Sequence, residues 1–167
     1  MQFDPKPISA ESVPAALEKA HRYRLLNEPS AAESICLDVL AVDADNQQAL
    51  ETLLLAITDQ FGFESRELAG RAREVLARIT DPYQKAYYAG IIDERLGHAQ
   101  LAHAVMHAEA MAYESLRSAM DSFERAEKLR QLGNDDAILR WNTCARTIDR
   151  LKLQVTPEGQ YEPSFGE

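Results

Sequence analysis

The stretch Ala31–Ile57, AAESICLDVLAVDADNQQALETLLLAI, contains the end of one predicted helix, a short acidic connection and the start of another helix. On both sides of the connection, apolar residues recur every three or four positions, which is the spacing of amphipathic helices. Within the connection, Asp45 and Gln48 are able to cap the second helix. The stretch therefore predicts two adjacent helices joined by a tight turn.

The apolar positions of the helix before this stretch return 34 residues later. They are Ala16, Ala20 and Tyr23, which correspond to Leu50, Leu54 and Ile57. One helix pair cannot bury its own apolar face, so repeated pairs stack and share a continuous core. The repetition predicts an all-α chain in which antiparallel helix pairs form an α-α superhelix.

The composition agrees with a helical domain and excludes several functions. The chain has 167 residues, 46% of them hydrophobic and only 7% aromatic, which disfavours a turn-rich β fold. Its net charge of −9 argues against nucleic-acid binding, which requires a basic surface. The sequence contains no signal peptide and no apolar run long enough to cross a membrane, so we expect no membrane association and a cytoplasmic protein.

Helix signals divide the chain into about seven helices between two irregular ends. We expect a lead-in over residues 1–11, a helical domain over 12–151 and a flexible tail over 152–167. The tail loses the helical period and gains Pro and Gly.

Individual residues predict where several of these helices begin and end. Ser12 is a predicted cap of the first helix, and Ser30 with Glu33 forms a predicted capping box for the second. Asp81 precedes a Pro and should cap the fifth helix, which we expect to end near Leu96 at Gly97.

The penultimate helix is predicted to be long, because residues 99–131 contain no Gly or Pro. Small and apolar residues alternate along it by fours and threes, which allows a close approach of helices. Either one continuous helix or a break near Tyr113–Ser115 fits the pattern.

The chain resembles the tetratricopeptide repeat family, whose pattern is W-x2-L-G-x2-Y, then A-x3-F, then P. The matching residues in the late part of the chain are Ala119, Phe123, Ala126, Trp141, Cys144, Ala145 and Ile148. In the first pair, Ala20 and Ala32 match, whereas Lys19 occupies a position where Leu is expected. The resemblance covers about Ser12–Leu151 and implies stacked helix pairs with an elongated last repeat.

The resemblance also implies a function in protein binding, because the first helix of each pair lines a concave surface in this family. The residues predicted to line such a groove are His21, Arg24, Glu51, Leu55, Tyr87, Ile91 and Glu94. Family members that bind acidic peptide tails carry Lys, Arg and Asn there, whereas this chain carries Glu51 and Glu94. We expect a non-catalytic adaptor or chaperone-like scaffold whose partner is a protein segment with apolar anchors and some basic character.

The sequence provides no clear catalytic or metal site. His103 and His107 are four residues apart and could face one ion from one helical turn, and Glu94 or Glu114 could add a carboxylate ligand. No His-Glu-x-x-His pattern is present, the cysteines are remote and the surrounding face is Ala-rich, so we expect no metal and no cofactor. Carboxylates are distributed as caps and helix partners, and Cys36 and Cys144 fall on apolar helix faces, where buried thiols are expected.

A structural role is the alternative function. In that hypothesis, residues 99–131 pair with the same segment of a second copy and the protein is a homodimer.

Overall fold

The computed structural model of the chain describes residues 3–62, 64–102 and 107–154. Over these ranges the chain contains seven α-helices and one short 3₁₀ turn but no β-strand, which confirms the predicted all-α class. The elements are the turn Ala10–Ser12 and the helices α1 Val13–Leu25, α2 Pro29–Val42, α3 Gln47–Thr58, α4 Ser65–Ala77, α5 Pro82–Ala102, α6 Ala108–Leu129 and α7 Asp136–Leu151.

Each helix packs against the next one in the chain. In addition, α1 contacts α3 and α3 contacts α5, so that α3 lies between two other odd-numbered helices. One continuous apolar core extends from Ala20 in α1 to Cys144 in α7. The repeated positions Ala20 and Leu54 are fully buried in this core, and Ile57 is almost fully buried.

The caps of α2 and α3 differ from the predicted ones. Asn46, rather than Asp45 with Gln48, caps α3, because its side-chain oxygen accepts a hydrogen bond from the backbone N–H of Ala49 at 2.9 Å. The prediction that Ser30 and Glu33 form a capping box at the start of α2 is also wrong. The chain enters α2 at Pro29, which places Ser30 inside the first turn, where its hydroxyl bonds Gln60 instead.

The cap predicted for the fifth helix is confirmed, but its predicted end is wrong. Asp81 accepts a hydrogen bond from the backbone N–H of Gln84 at 2.8 Å. The helix continues through Gly97 to Ala102, and Gly97 is buried. A Cβ atom at Gly97 would lie 3.0 Å from Leu116 of α6, so this glycine permits close packing of two helices rather than ending one.

The segment 99–131 adopts neither of the two predicted arrangements. The described helices are α5, up to Ala102, and α6, from Ala108, and the left-handed conformation of His107 before α6 shows that the segment is not one continuous helix. The helix is unbroken across Tyr113–Ser115, and His107, immediately before α6, has a left-handed φ of 64°. The penultimate helix is nevertheless long, at 22 residues, and packs against the 21 residues of α5 as a helical hairpin.

The chain turns back at the end of α7, inside the predicted tail. Lys152 has a left-handed φ of 52°, and the N–H of Leu153 donates to the carbonyl of Ile148 at 3.1 Å. Leu153 is only 5% exposed and belongs to the main core. The packed structure therefore extends at least to Leu153 rather than ending at residue 151.

Candidate functional site

A shared carboxylate joins the helices α1, α3 and α5. Asp59, at the C-terminal end of α3, accepts Nε of Arg24 from α1 at 2.7 Å through Oδ2. Its other oxygen, Oδ1, lies 2.7 Å from Nη1 of Arg95 on α5. One side chain therefore connects three helices that are far apart in sequence.

Arg95 also contacts the polar backbone at the end of α3. Its Nη1 donates to the carbonyl of Leu55 at 3.1 Å and to the hydroxyl of Thr58. Burial lowers the pKa of Arg95, and the negative charge of Asp59 partly offsets this effect. Because the ordinary pKa of an arginine is far above neutral pH, Arg95 remains charged despite this lowering. Its contacts therefore hold a cation at the junction of α3 and α5.

A second ion pair joins α5 to α7. Nη1 of Arg140 lies 3.4 Å from Oε2 of Glu94, whose side chain is 3% exposed. Burial would lower the pKa of Arg140, but the Glu94 carboxylate and the neighbouring Tyr87 raise it overall. Glu94 is therefore a structural anion inside the protein and does not face an open groove as predicted.

Glu51 also has a partner within the protein. The hydroxyl of Tyr88 on α5 donates to Oε2 of Glu51 on α3 at 3.2 Å. Burial raises the pKa of Glu51, although the hydrogen bond from Tyr88 opposes this change. Burial, together with the charge of Glu51, raises the pKa of Tyr88.

The other predicted groove residues differ in accessibility. Ile91 is 1% exposed and cannot contact a ligand from the surface, because α5 is packed between other helices. Tyr87 is half-buried, with its ring centroid 5.9 Å from that of Phe123. Leu55 is partly exposed and His21 is exposed.

The accessible part of the predicted groove is therefore at α1 and α3. His21, Arg24 and Leu25 share one side of α1, because they are three and four residues apart. Arg24 reaches Asp59 at the end of α3, so this side borders α3. Leu25 is 86% exposed, and sequence reasoning did not include it.

Three ion-pair residues, Asp59, Arg95 and Arg140, were also missed by sequence reasoning. Arg24 and Asp59 are 35 residues apart, close to the helical repeat, and Arg95 follows Asp59 at a similar spacing. Charged residues that recur at the repeat spacing were thus a usable signal. Arg140 had no such signal, because its partner depends on how α7 is rotated against α5.

The two thiols do not form a reactive site. Cys36 and Cys144 are free and fully buried, as predicted. Burial raises the pKa of each thiol to about 12, so neither forms an appreciable amount of the nucleophilic thiolate near neutral pH.

The described part of the chain holds neither a cluster of metal ligands nor a membrane-spanning helix. It contains no group of three His, Cys, Asp or Glu side chains that could hold a metal ion. His103, one of the two histidines considered above, lies outside the described residues. None of the helices within the described ranges is both long and apolar enough to span a membrane.

The fold and these contacts define an all-helical protein whose odd-numbered helices are joined by buried or half-buried ion pairs. Comparisons with protein families, with curated proteins and with solved structures find no match to this chain.

Proposed function

We propose that the chain is a non-catalytic helical-repeat module, with stacking like that of tetratricopeptide repeats, that binds a segment of another protein along α1 and α3. The observation that carries the proposal is the pair of Asp59 contacts, which connect α1, α3 and α5, the first helices of three successive helix pairs. The 34-residue recurrence of apolar residues supports the same arrangement.

The proposed binding surface consists of His21, Leu25 and Leu55. Leu25 supplies an exposed apolar anchor, and the neighbouring Arg24 is held in place by Asp59. Glu94 is 2% exposed and pairs with Arg140, and Glu51 accepts a hydrogen bond from Tyr88, so we assign both acids to internal contacts rather than to the ligand. The ligand is therefore recognised through apolar contacts and hydrogen bonds rather than through these two acids.

The proposed module works in a reducing compartment such as the cytoplasm. Its two cysteines are unpaired and buried in different helices, α2 and α7, so the fold does not depend on a disulfide.

Self-association through residues 99–131 has less support. The apolar side of α6, including Leu116 and Phe123, is buried against α5 of the same chain. That side is therefore not available to pair with a second copy while the helical hairpin is intact.

The experiment is a selection of peptides by display on the immobilised full-length protein, followed by titration of the selected peptides. Leu25→Glu should weaken binding at least about tenfold, because it places a charge in an apolar contact. Leu37→Glu is the matched control, since Leu37 is 51% exposed but belongs to α2.

The two variants separate a binding site from a general effect of surface charge. The proposal requires that both variants melt like the wild type and that only Leu25→Glu loses affinity. Equal affinities for both variants would reject the surface on α1 and α3. Failure to select any peptide would reject peptide binding as the function.

A further inference from the structure

A groove between α6 and α7 lies where the helical stack ends. It encloses about 370 Å³ and is lined by Glu124, Glu127, Lys128, Ile138 and Trp141. The helices α1, α3 and α5 each pack against the even-numbered helix that follows them in the chain. Within the described ranges α7 is the last helix, so it has no following helix to complete its pair.

The unit formed by α2, α3 and α4 shows where such a following helix lies. There α4 packs against α3 and comes close to α2. Leu37 and Leu40 of α2 and Arg71 and Arg78 of α4 line one groove of about 340 Å³ above α3. The following helix therefore lies along its odd-numbered partner and faces the preceding even-numbered helix.

α6 repeats the pattern of buried residues of α2. Three buried residues with spacings of four and three lie on each helix: Ala32, Cys36 and Val39 on α2, and Ala119, Phe123 and Ala126 on α6. When these positions are aligned, Glu124 corresponds to Leu37 and Glu127 corresponds to Leu40. Two acids of α6 thus occupy the positions that face α4 in the earlier unit.

α7 corresponds in the same way to α3. Trp141, Cys144, Ala145 and Ile148 have the spacing of Leu50, Leu53, Leu54 and Ile57. Leu50 is fully buried, whereas Trp141 is only half-buried. The groove between α6 and α7 is therefore the position that α4 takes in the earlier unit.

The charges of the groove define the helix that fits it. Glu124 accepts the indole N–H of Trp141 at 3.0 Å, and neither Glu124 nor Glu127 forms an ion pair with another described residue. With Lys128, the lining contains two acids and one base. A helix with basic residues at the positions of Arg71 and Arg78 would place them opposite these acids.

We propose that the groove between α6 and α7 binds an amphipathic α-helix of a partner protein, which completes the pair begun by α7. The apolar side of that helix packs on Ile138 and Trp141, and its Arg or Lys residues pair with Glu124 and Glu127. Because one helix of a stack cannot bury its apolar side alone, the added helix extends the shared core by one element. This surface is separate from the one on α1 and α3.

The test uses the chain's own α4 as the probe, as a free peptide of residues 64–79 added to the full-length protein. Trp141 is the only tryptophan of the chain and the peptide has none, so the fluorescence of Trp141 reports on the groove. An isolated helix of this length is marginally stable in water, so the titration extends to millimolar peptide. Binding should shift the Trp141 emission to shorter wavelength, because the peptide covers the indole.

Two altered peptides of equal net charge test the position of the basic residues. Arg71→Glu with Arg78→Glu should bind at least about tenfold more weakly, because two acids then face Glu124 and Glu127. Arg66→Glu with Arg73→Glu is the matched control and should lose no more than about threefold. Arg66 is exposed, and Arg73 pairs with Asp93 of α5 rather than lining the groove beside α2.

A charge change on the protein locates the peptide. Glu127→Lys leaves the hydrogen bond between Glu124 and Trp141 in place and should let the Arg71/Arg78 variant peptide bind more tightly than it binds the wild type. Glu109→Lys makes the same charge change at an exposed position in the first turn of α6 and should change nothing. Leu25→Glu should also leave this response unchanged, which distinguishes the groove from the surface on α1 and α3.

Three outcomes would overturn the proposal. The first is that Trp141 does not respond to the α4 peptide. The second is a peptide preference that is the same in the wild type and in Glu127→Lys, because the peptide then binds elsewhere, for example in place of α4 itself. The third is a shift of the Trp141 emission with protein concentration alone, which would show that a second copy occupies the groove.

Discussion

Glu94 on α5 and Arg140 on α7 form an ion pair across 46 residues of sequence, with the carboxylate side chain 3% exposed. A buried carboxylate is costly unless a partner compensates for its lost hydration. Arg140 therefore offsets the cost of burying the Glu94 carboxylate. The same ion pair attaches α7 to α5. The role of Glu94 is to hold the helices together rather than to present an acid to a peptide.

Replacing Arg140 by Met should destabilise the fold, because Glu94 then remains buried without its cation. We expect a loss of about 1–2 kcal/mol in the free energy of unfolding, less than for a fully buried pair because the Arg140 side chain is 42% exposed. The measurement is denaturation by urea, monitored by circular dichroism.

Two controls test whether this loss belongs to the pair. Arg146→Met, at an exposed position on the same helix, should change stability by no more than about 0.5 kcal/mol. Adding Glu94→Gln to Arg140→Met should recover part of the loss, because the uncompensated charge disappears. A double variant as unstable as the sum of the single variants would contradict a coupled pair.

Much of the helical layout could be predicted from local patterns. The apolar periodicity identified the helices, and Asp81 marked a true N-terminal cap, because these features depend on residues within one or two turns. The repeat spacing identified Ala20 and Leu54 as core residues for the same reason.

The errors came from residues whose role is set by another helix. Gly97 resembles a helix end in sequence, but contact with Leu116 of α6 makes it a packing residue. Glu94 has the register of a groove residue, but Arg140 of α7 turns it into part of the interior. Nothing near either residue in the sequence identifies its partner, so local reasoning assigned the commoner role.

Gly90 should tolerate no side chain, because its helix approaches α6 closely. A Cβ atom there would clash with the ring of Phe123, lying 2.6 Å from its Cδ1, and the Phe123 residue is itself only 1% exposed. Gly90→Ala should therefore cost about 1–3 kcal/mol through overpacking, despite the better helix propensity of Ala. The melting temperature and urea denaturation both measure this change.

Gly70 provides a matched control for Gly90. It lies in the interior of α4, and a Cβ atom there would meet nothing within 4 Å. Gly70→Ala should raise stability by about 0.5–1 kcal/mol, because Ala loses less conformational freedom in a helix. A result in which both substitutions stabilised the protein would contradict the close contact between Gly90 of α5 and Phe123.

Glu51 should make stability depend on pH in the direction set by its raised pKa. Burial is the main cause of that shift, so the folded state holds the proton more tightly than the unfolded state does. Stability therefore decreases as pH rises from the ordinary range of a glutamate through the raised value. Glu51→Gln should remove this decrease while its amide oxygen still accepts the hydrogen bond from Tyr88.

Urea denaturation at several pH values measures this effect. Glu51→Gln should be at least as stable as the wild type at neutral pH and should lose this advantage in acid. Glu18→Gln, at an exposed position on α1, is the control and should follow the wild type at every pH. A Glu51→Gln protein that is less stable than the wild type at neutral pH would show that the charged carboxylate stabilises the fold.

The two thiols should resist alkylation in the native protein. With the pKa of Cys36 and Cys144 raised to about 12 by burial, the thiolate fraction at pH 8 is on the order of 10⁻⁴. Mass spectrometry after treatment with iodoacetamide should find little label on the native protein and two labels after denaturation in guanidinium chloride. Because Cys36 lies in α2 and Cys144 in α7, rapid labelling of only one would locate a local opening at that end of the core and contradict uniform packing.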